Sequence, residues 1–372
     1  MSVESEKISF TRDDGCDFVR VLRSRINQYF QEKGISSKAN GFMCFKSIFL
    51  IGMMILTYSL IMMDFSGGLG VIGLYTLYGF VISIVGINIF HDALHGSYLS
   101  NAIGNRALGL IGDLLGTSSF YWKKEHTVDH HTFTNVHHHD ADLDAPFLLR
   151  LCPEAPYYSF HRFQNWYAPF LYSLNLLRWV LYSDFRRFFQ MVRKVPSRAA
   201  KPSLLEIFFL FGFKAIHFTL FLILPMCFLS VAWWQVLLGY VACLATMGIT
   251  LTIIFQLAHI VENVAFPTPN AEGKIENTFV KHQLMTTANF ARKSWLVSFL
   301  TGGLNFQIEH HIFPHICHTH LPKISPIVKK TALEFGLPYY ENPSFFAALK
   351  SHFRTLKRFG QAPLQTEDIV LS

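Results

Sequence analysis

Four stretches of the chain are apolar for long enough to cross a bilayer, which takes roughly 20 residues: Phe42–Met63, Leu69–Phe90, Ile207–Ser230 and Val236–Ala258. The second and fourth carry no charged residue. The first has Lys46 near its start, where a long side chain can snorkel toward headgroups, and the third contains Lys214 and His217. The connections Asp64–Gly68 and Val231–Gln235 are very short and hold no Lys or Arg. The pattern therefore predicts two helical hairpins. Asn101–Tyr121 is also apolar, but Gly104, Arg106, Gly109, Asp113 and Gly116 interrupt it, so it reads as a helix lying in the membrane interface and not as a fifth span. Phe18, Leu22, Ile26, Tyr29 and Phe30 recur at helical spacing and predict an amphipathic helix against the cytoplasmic part or the membrane surface.

The resulting division is a cytoplasmic N-terminal segment, 1–41; a first hairpin, 42–90; a cytoplasmic region with an interfacial helix, 91–206; a second hairpin, 207–258; and a cytoplasmic region, 259–372. The lysines and arginines outside the spans all fall in the three long segments, which the positive-inside rule makes cytoplasmic. Trp233 and Trp234 sit at the opposite turn, where an interfacial aromatic belt is expected. The fold class expected is an all-α integral membrane protein: four transmembrane helices in two hairpins, with a cytoplasmic helical cap.

Composition agrees. Of 372 residues, 51% are hydrophobic, 37 are phenylalanine and only 15% are charged, against about 25% in soluble domains; the mean hydropathy is +0.28. This excludes a soluble two-domain enzyme and a disordered chain. The net charge of +7 marks the cytoplasmic face, because no basic stripe carries the interleaved aromatics that stack bases; no nucleic acid is expected. The cysteines, Cys16, Cys44, Cys152, Cys227, Cys243 and Cys317, form no CxxC, so neither a disulfide framework nor a zinc knuckle is indicated. The first 40 residues lack the apolar core of a signal peptide.

Of 18 histidines, 13 lie within Asn88–Asp140 or Gln307–His320. His91 and His95 follow the second span at i, i+4, which puts both imidazoles on one helix face. His126 and His130 repeat that spacing, with His131 adjacent. Gln307, His310 and His311 form a third group, and His259 stands alone just past the fourth span. A single HxxxH is commonly chance, but three clusters at the same ends of spans are not. Burying so many imidazoles without a metal would leave many nitrogens unsatisfied. Eight or nine ligands exceed the demand of one ion, so two metals are implied; imidazole suits iron, zinc, copper and nickel alike. Asp92, Asp129 and Glu309 are read as acceptors for imidazole N–H groups rather than as ligands, with an ordinary solvated acid an equal reading for Asp129. His137–His139 with Asp140, Asp142 and Asp144 reads as a polar loop. His282, His315, His318 and His320 stay open, and His161, His217 and His352 are read as structural.

These residues resemble the three histidine boxes of the membrane-bound fatty acyl desaturases: His91–His95, His126–His131 and Gln307–His311, with His259 as an additional ligand. The run from Gly302 through Gln307-Ile308-Glu309-His310-His311 to Pro314 is the most specific part, and glutamine opening the third box is similar to the front-end group. The likeness extends through Thr132-Phe133-Thr134-Asn135, Phe160-His161-Arg162-Phe163, Tyr167-Ala168-Pro169 and Phe335–Tyr340, and looks closest to bacterial acyl-CoA desaturases of the linoleoyl-CoA type. It implies a di-iron centre held by His91, His95, His126, His130, His131, His259, Gln307, His310 and His311, with O2 as co-substrate. It also implies a long-chain acyl-CoA or acyl-lipid substrate in the membrane, a cis double bond as product, and a bacterial inner membrane ahead of the endoplasmic reticulum. Many front-end relatives carry a fused cytochrome b5 domain with an HPGG motif. This sequence has none, so an external ferredoxin or cytochrome b5 is the expected electron donor. The rivals are a hydroxylase, ketolase or acetylenase on the same scaffold, and a zinc-dependent membrane amide or ester hydrolase. A metal transporter fits poorly, since its ligands belong at membrane depth.

Overall fold

The structure, a computed structural model, describes residues 8–11, 17–143, 147–194 and 201–362; Cys16 and Asp144 lie outside them. It is mostly helical. The elements that position the site are α1 (Phe18–Lys33), α2 (Gly41–Met62), α3 (Gly67–Leu94), α4 (Ala102–Leu114), α5 (Gln164–Arg178), α6 (Asp184–Lys194), α7 (Leu204–Phe228), α8 (Trp233–His259), α9 (Phe279–Thr286), α10 (Gln307–Ile312), α11 (Leu321–Glu334) and α12 (Phe345–Phe359). Two parallel pairs of very short strands join distant segments, Ser9–Phe10 with Lys274–Ile275 and Ala288–Phe290 with Tyr340–Asn342, which the expectation of an all-α chain did not include.

Helices α2, α3, α7 and α8 are long and apolar enough to cross a membrane, within a few residues of the expected spans. Their outward faces expose Phe45, Ile48, Leu69, Phe208 and Phe228, a surface too apolar for water and suited to lipid. Inside, α3 and α8 pack closely through Tyr75, Tyr78, Ile82, Val236, Leu244 and Met247. Gly79 permits that approach, since a Cβ there would stand 2.3 Å from the Cys243 carbonyl oxygen. The Ser230 amide donates to the Asp64 carboxylate at 2.8 Å, joining the two short connections, and His91 and His259 stand at the far ends of α3 and α8.

The lysines within the spanning-length helices both turn inward, Lys46 against the expectation that it snorkels. Lys46 is buried and turns inward onto His318. Lys214 pairs with Asp184 at 2.9 Å and donates to the Gly116 and Val180 carbonyls. A cation beside protein carboxylates and carbonyls keeps polar partners that lipid cannot offer. The expected helix 101–121 breaks after Leu114, where Gly116 takes φ +92°; α4 packs on α7 and the end of α3. The N-terminal amphipathic helix is α1, and its Phe18, Leu22 and Ile26 are buried against Leu321, Ile324 and Val328 of α11.

Candidate metal centre

The chain reaches the histidines through unusual backbone. Gly86–Phe90, just before His91, and Lys123–His130 are π-helical, a conformation that recurs at functional sites. The third box follows Gly302 and Gly303, at φ +57° and +69°. A Cβ at Gly302 would fall 2.8 Å from the Ile87 carbonyl oxygen, and one at Gly303 would strike His318. This double-glycine turn lets α10 lie against the end of α3.

All eight expected imidazoles come together, as two groups. His91, His95, His126 and His310 bring ligand atoms within 4.8 Å of one another, as do His130, His259 and His311. His131 lies between them, stacked on His311 at 4.2 Å and 4.5 Å from His95. The i, i+4 spacing works differently in the first two boxes. The rings of His91 and His95 are tilted by 57° and converge. Those of His126 and His130 lie nearly parallel at 21°, so their nitrogens point side by side into different groups. His310 and His311 likewise diverge, at 89°. Gln307 meets the His259 imidazole, and its amide nitrogen has no hydrogen-bond partner.

The donor set fits metal ions. Ring nitrogens of His91, His95, His130, His131, His259, His310 and His311 are buried without hydrogen-bond partners, and the His91 and His126 Nε2 atoms face each other at 3.2 Å. Orphaned buried nitrogens on this scale are costly unless an ion satisfies them. Burial and then mutual repulsion push His95, His126, His131, His310 and His311 well below the usual imidazole range, which leaves neutral rings with lone pairs to donate. His130 is the exception. Burial alone would lower it, but Asp140 and Asp142 raise it to about 9.

The carboxylates are distributed otherwise than expected. Asp92 accepts from His318 Nδ1 at 2.9 Å and stands 3.8 Å from His91 Nδ1. Asp129 is half-buried and makes no hydrogen bond to an imidazole among the described residues. Glu309 turns away from the rings, accepting from Asn289 at 2.8 Å and Tyr339 at 2.7 Å; it anchors α10, and burial raises its carboxyl. The acceptor that sequence reasoning missed is Asp140, read there as part of a polar loop. It is buried, accepts from His130 Nδ1 at 2.9 Å and from the Asn135 amide at 2.8 Å, and is held below its usual value by His130 despite the cost of burial. Also missed were Gln283, which accepts from His311 Nδ1 at 2.9 Å, and Trp122, stacked on His126 at 4.3 Å. Asn135 has φ +60° and donates its side-chain amide to the His259 and Thr286 carbonyls, tying the second box to the end of α8. A short acid ten residues past His130 and an Asn able to adopt φ > 0 were the available signals.

His137, His138 and His139 join neither group among the described residues. His282 and His315 also lie outside both, and His320 bonds the Lys38 carbonyl. His161, His217 and His352 make structural hydrogen bonds.

A cavity of about 940 Å³ opens beside the first group. Leu115, Leu149, Leu171, Leu174, Met247 and Leu251 line it, it meets His91 and His126, and Arg178, Arg186 and Arg187 stand on its wall.

Apolar helices of spanning length, ending in a buried cluster of imidazoles able to hold metal ions beside a largely leucine-lined cavity, have the form of a membrane metalloenzyme. Residues 67–343 match the family model described as fatty acid desaturase, and the chain belongs to that family; it is an oxidoreductase of the desaturase class. It is 36% identical to an acyl-lipid (8-3)-desaturase of Physcomitrium patens over 92% of this chain and 72% of the relative. It is 34% identical to an sn-1 linoleoyl-lipid 6-desaturase of Synechocystis, over 96% of this chain and 99% of that one. The protein of the same description from Arthrospira platensis is 32% identical over 98% and 97%. These relatives are named for acyl lipids, whereas the motifs alone resembled acyl-CoA enzymes.

Proposed function

We propose that this chain is an O2-dependent di-iron desaturase that introduces a cis double bond near the carboxyl end of a long-chain acyl group. Its electrons come from a separate ferredoxin or cytochrome b5. The observation that carries the reading is the apolar cavity running up to His91 and His126, the edge of the imidazole cluster. The ligands are His91, His95, His126 and His310 for one iron and His130, His259 and His311 for the other, with His131 between them and Gln307 beside His259. Two irons, when bound, supply the oxidising power to remove two hydrogens from an unactivated methylene pair, which no side-chain acid or base can do.

The remaining work belongs to the chain. The leucine-lined cavity holds the acyl chain extended and excludes water, so that one C–C bond stays beside the His91–His126 edge. Trp122 and Phe255 flank His126 and limit how far that edge can shift. Of the wall arginines, Arg187 is paired with Glu125 and Asp184, while Arg178 and Arg186 have no carboxylate partner among the described residues. Burial and the neighbouring Arg187 and Arg186 lower Arg178, a crowding of cations that an anionic headgroup would relieve. The relatives' names favour a glycerolipid carrier. The proposed topology is two hairpins whose histidine-bearing ends face the cytoplasm of a bacterial inner membrane.

The test is fatty-acid methyl ester profiling of cells expressing the chain, fed defined C16 and C18 acids, beside a His310→Ala, His311→Ala control. A new ester 2 Da lighter than its precursor, absent from the control, is the expected result. A product 16 Da heavier would mean a hydroxylase. Silence even with a co-expressed ferredoxin or cytochrome b5 would favour the hydrolase.

A further inference from the structure

Lys46 is an anomaly of the fold: an ammonium 2% exposed, on a helix otherwise built for lipid. Its Nζ lies 3.2 Å from His318 Nε2 and 4.5 Å from the centre of the Phe299 ring. An ammonium has only donors, so His318 Nε2 must accept and the ring proton must sit on Nδ1. That proton points at Asp92 Oδ2, 2.9 Å away, and the His318 backbone amide donates to the same oxygen at 3.2 Å. The other oxygen, Oδ1, faces His91 Nδ1 at 3.8 Å, a nitrogen with no hydrogen-bond partner of its own. The His91 Nε2 side is turned to the cluster, at His126.

Asp92, Cys317 and His318 bring ligand atoms close enough for an ion of their own. The Lys46 ammonium already supplies a cation there, however, and Cys317 is engaged with Thr319.

We propose that Lys46 and His318 are positioning residues for the first metal group, acting through Asp92 on the His91 imidazole. Lys46 selects the His318 tautomer, and His318 with its own amide pins one Asp92 oxygen. The other oxygen, Oδ1, then stands 3.8 Å from His91 Nδ1, placed to receive its proton once the ring closes on it and to leave His91 Nε2 aimed at the ion. The chain runs from α2 through the segment after the third box to the end of α3, so one relay joins three elements behind one ligand. It rests on the two-metal reading above; the rings of the second group are instead oriented directly, by Asp140, Gln283 and the Thr286 carbonyl.

The experiment uses the full chain in detergent, loaded with ferrous iron and dialysed against a ferrous chelator, with iron per chain and the iron-free unfolding temperature both measured. Wild type should start with two irons and lose them most slowly. His318→Gln leaves Lys46 and Asp92 as a buried pair of opposite charge and should fold, yet lose one of the two irons about 10- to 100-fold faster, the range for removing a ligand's orienting partner. Lys46→Met should do the same. Lys46→Gln, equally uncharged but able to donate to His318 Nε2, should retain more iron than Lys46→Met, a difference that a merely structural role would not produce. Variants that match wild type in iron retention would overturn the proposal, as would Lys46→Gln losing iron as fast as Lys46→Met. Should Lys46→Met not fold, His318→Gln decides alone. A wild type that binds no iron would instead sink the metal reading itself.

Discussion

In the second imidazole group every ring is held from behind. His130 Nδ1 donates to Asp140 at 2.9 Å, His311 Nδ1 to Gln283 at 2.9 Å and His259 Nδ1 to the Thr286 carbonyl at 3.4 Å, and the Nε2 atom of each is left unpartnered. In the first group, no hydrogen bond from outside orients His95, His126 or His310 among the described residues, and His91 has only Asp92 at 3.8 Å. The first group also borders the cavity, which the second does not. Orientation fixed in advance lowers the cost of ligation. On the proposed two-metal reading, the looser set would face the acyl chain and the fixed set would stand behind it, one ion anchored while the coordination of the other adjusts.

The largest test of this contrast is His131→Ala. The ring touches both groups, so its loss should deplete both ions and abolish the desaturated ester. Iron analysis that finds one ion still at full occupancy would assign His131 to a single group. Next, Asp140→Asn should weaken iron retention by about 10- to 100-fold at the second group alone, erasing the difference between the groups. Wild-type protein stripped by a chelator should lose iron in two phases, their rates about tenfold apart if the orienting bonds are worth about 1.4 kcal/mol. A single phase would break the comparison.

A separate test, read as a slope of stability against pH, concerns the support of His259. His352 donates Nδ1–H to the Ile260 carbonyl at 2.8 Å and accepts from Tyr172 at 3.0 Å. Burial lowers it to about 4, against about 6.5 when unfolded. The unfolded state then binds the extra proton in that window, so stability is complete above pH 6.5 and falls as the pH drops toward 4, by about 3 kcal/mol. Thermal unfolding of the iron-free protein across that range checks it, and His352→Gln should remove this part of the slope.

The spans were legible because hydropathy sums along a contiguous stretch, whatever the rest of the chain does. The histidines were legible as a set for a similar reason, since ligand types at short spacing advertise themselves. Their division into two groups was not. It depends on the parallel rings of a π turn and on the meeting of His130 with His259 and His311, residues well over a hundred positions away. Asp140 was hidden in a run of polar residues that looks like any solvated loop; its burial and its bond from His130 separate it from Asp129. The inward turn of Lys46 was hidden too, because its partner lies at His318 and a lysine near a span end ordinarily reaches for headgroups.

The π-helical stretch Lys123–His130 has a bearing on how this protein can change. A π turn is an α-helix made to accommodate one residue more than its length needs, and it keeps poorer backbone geometry in exchange for where it aims its side chains. Deleting any one residue there would let the segment relax into ordinary α-helix, a locally better fold, while rotating His130 and His131 away from Asp140, His259 and His311. Such a shortened chain would gain in helix geometry and lose a ligand set. Apart from His126 and His130, the positions between Lys123 and His131 should therefore tolerate changes of side chain far better than changes of length.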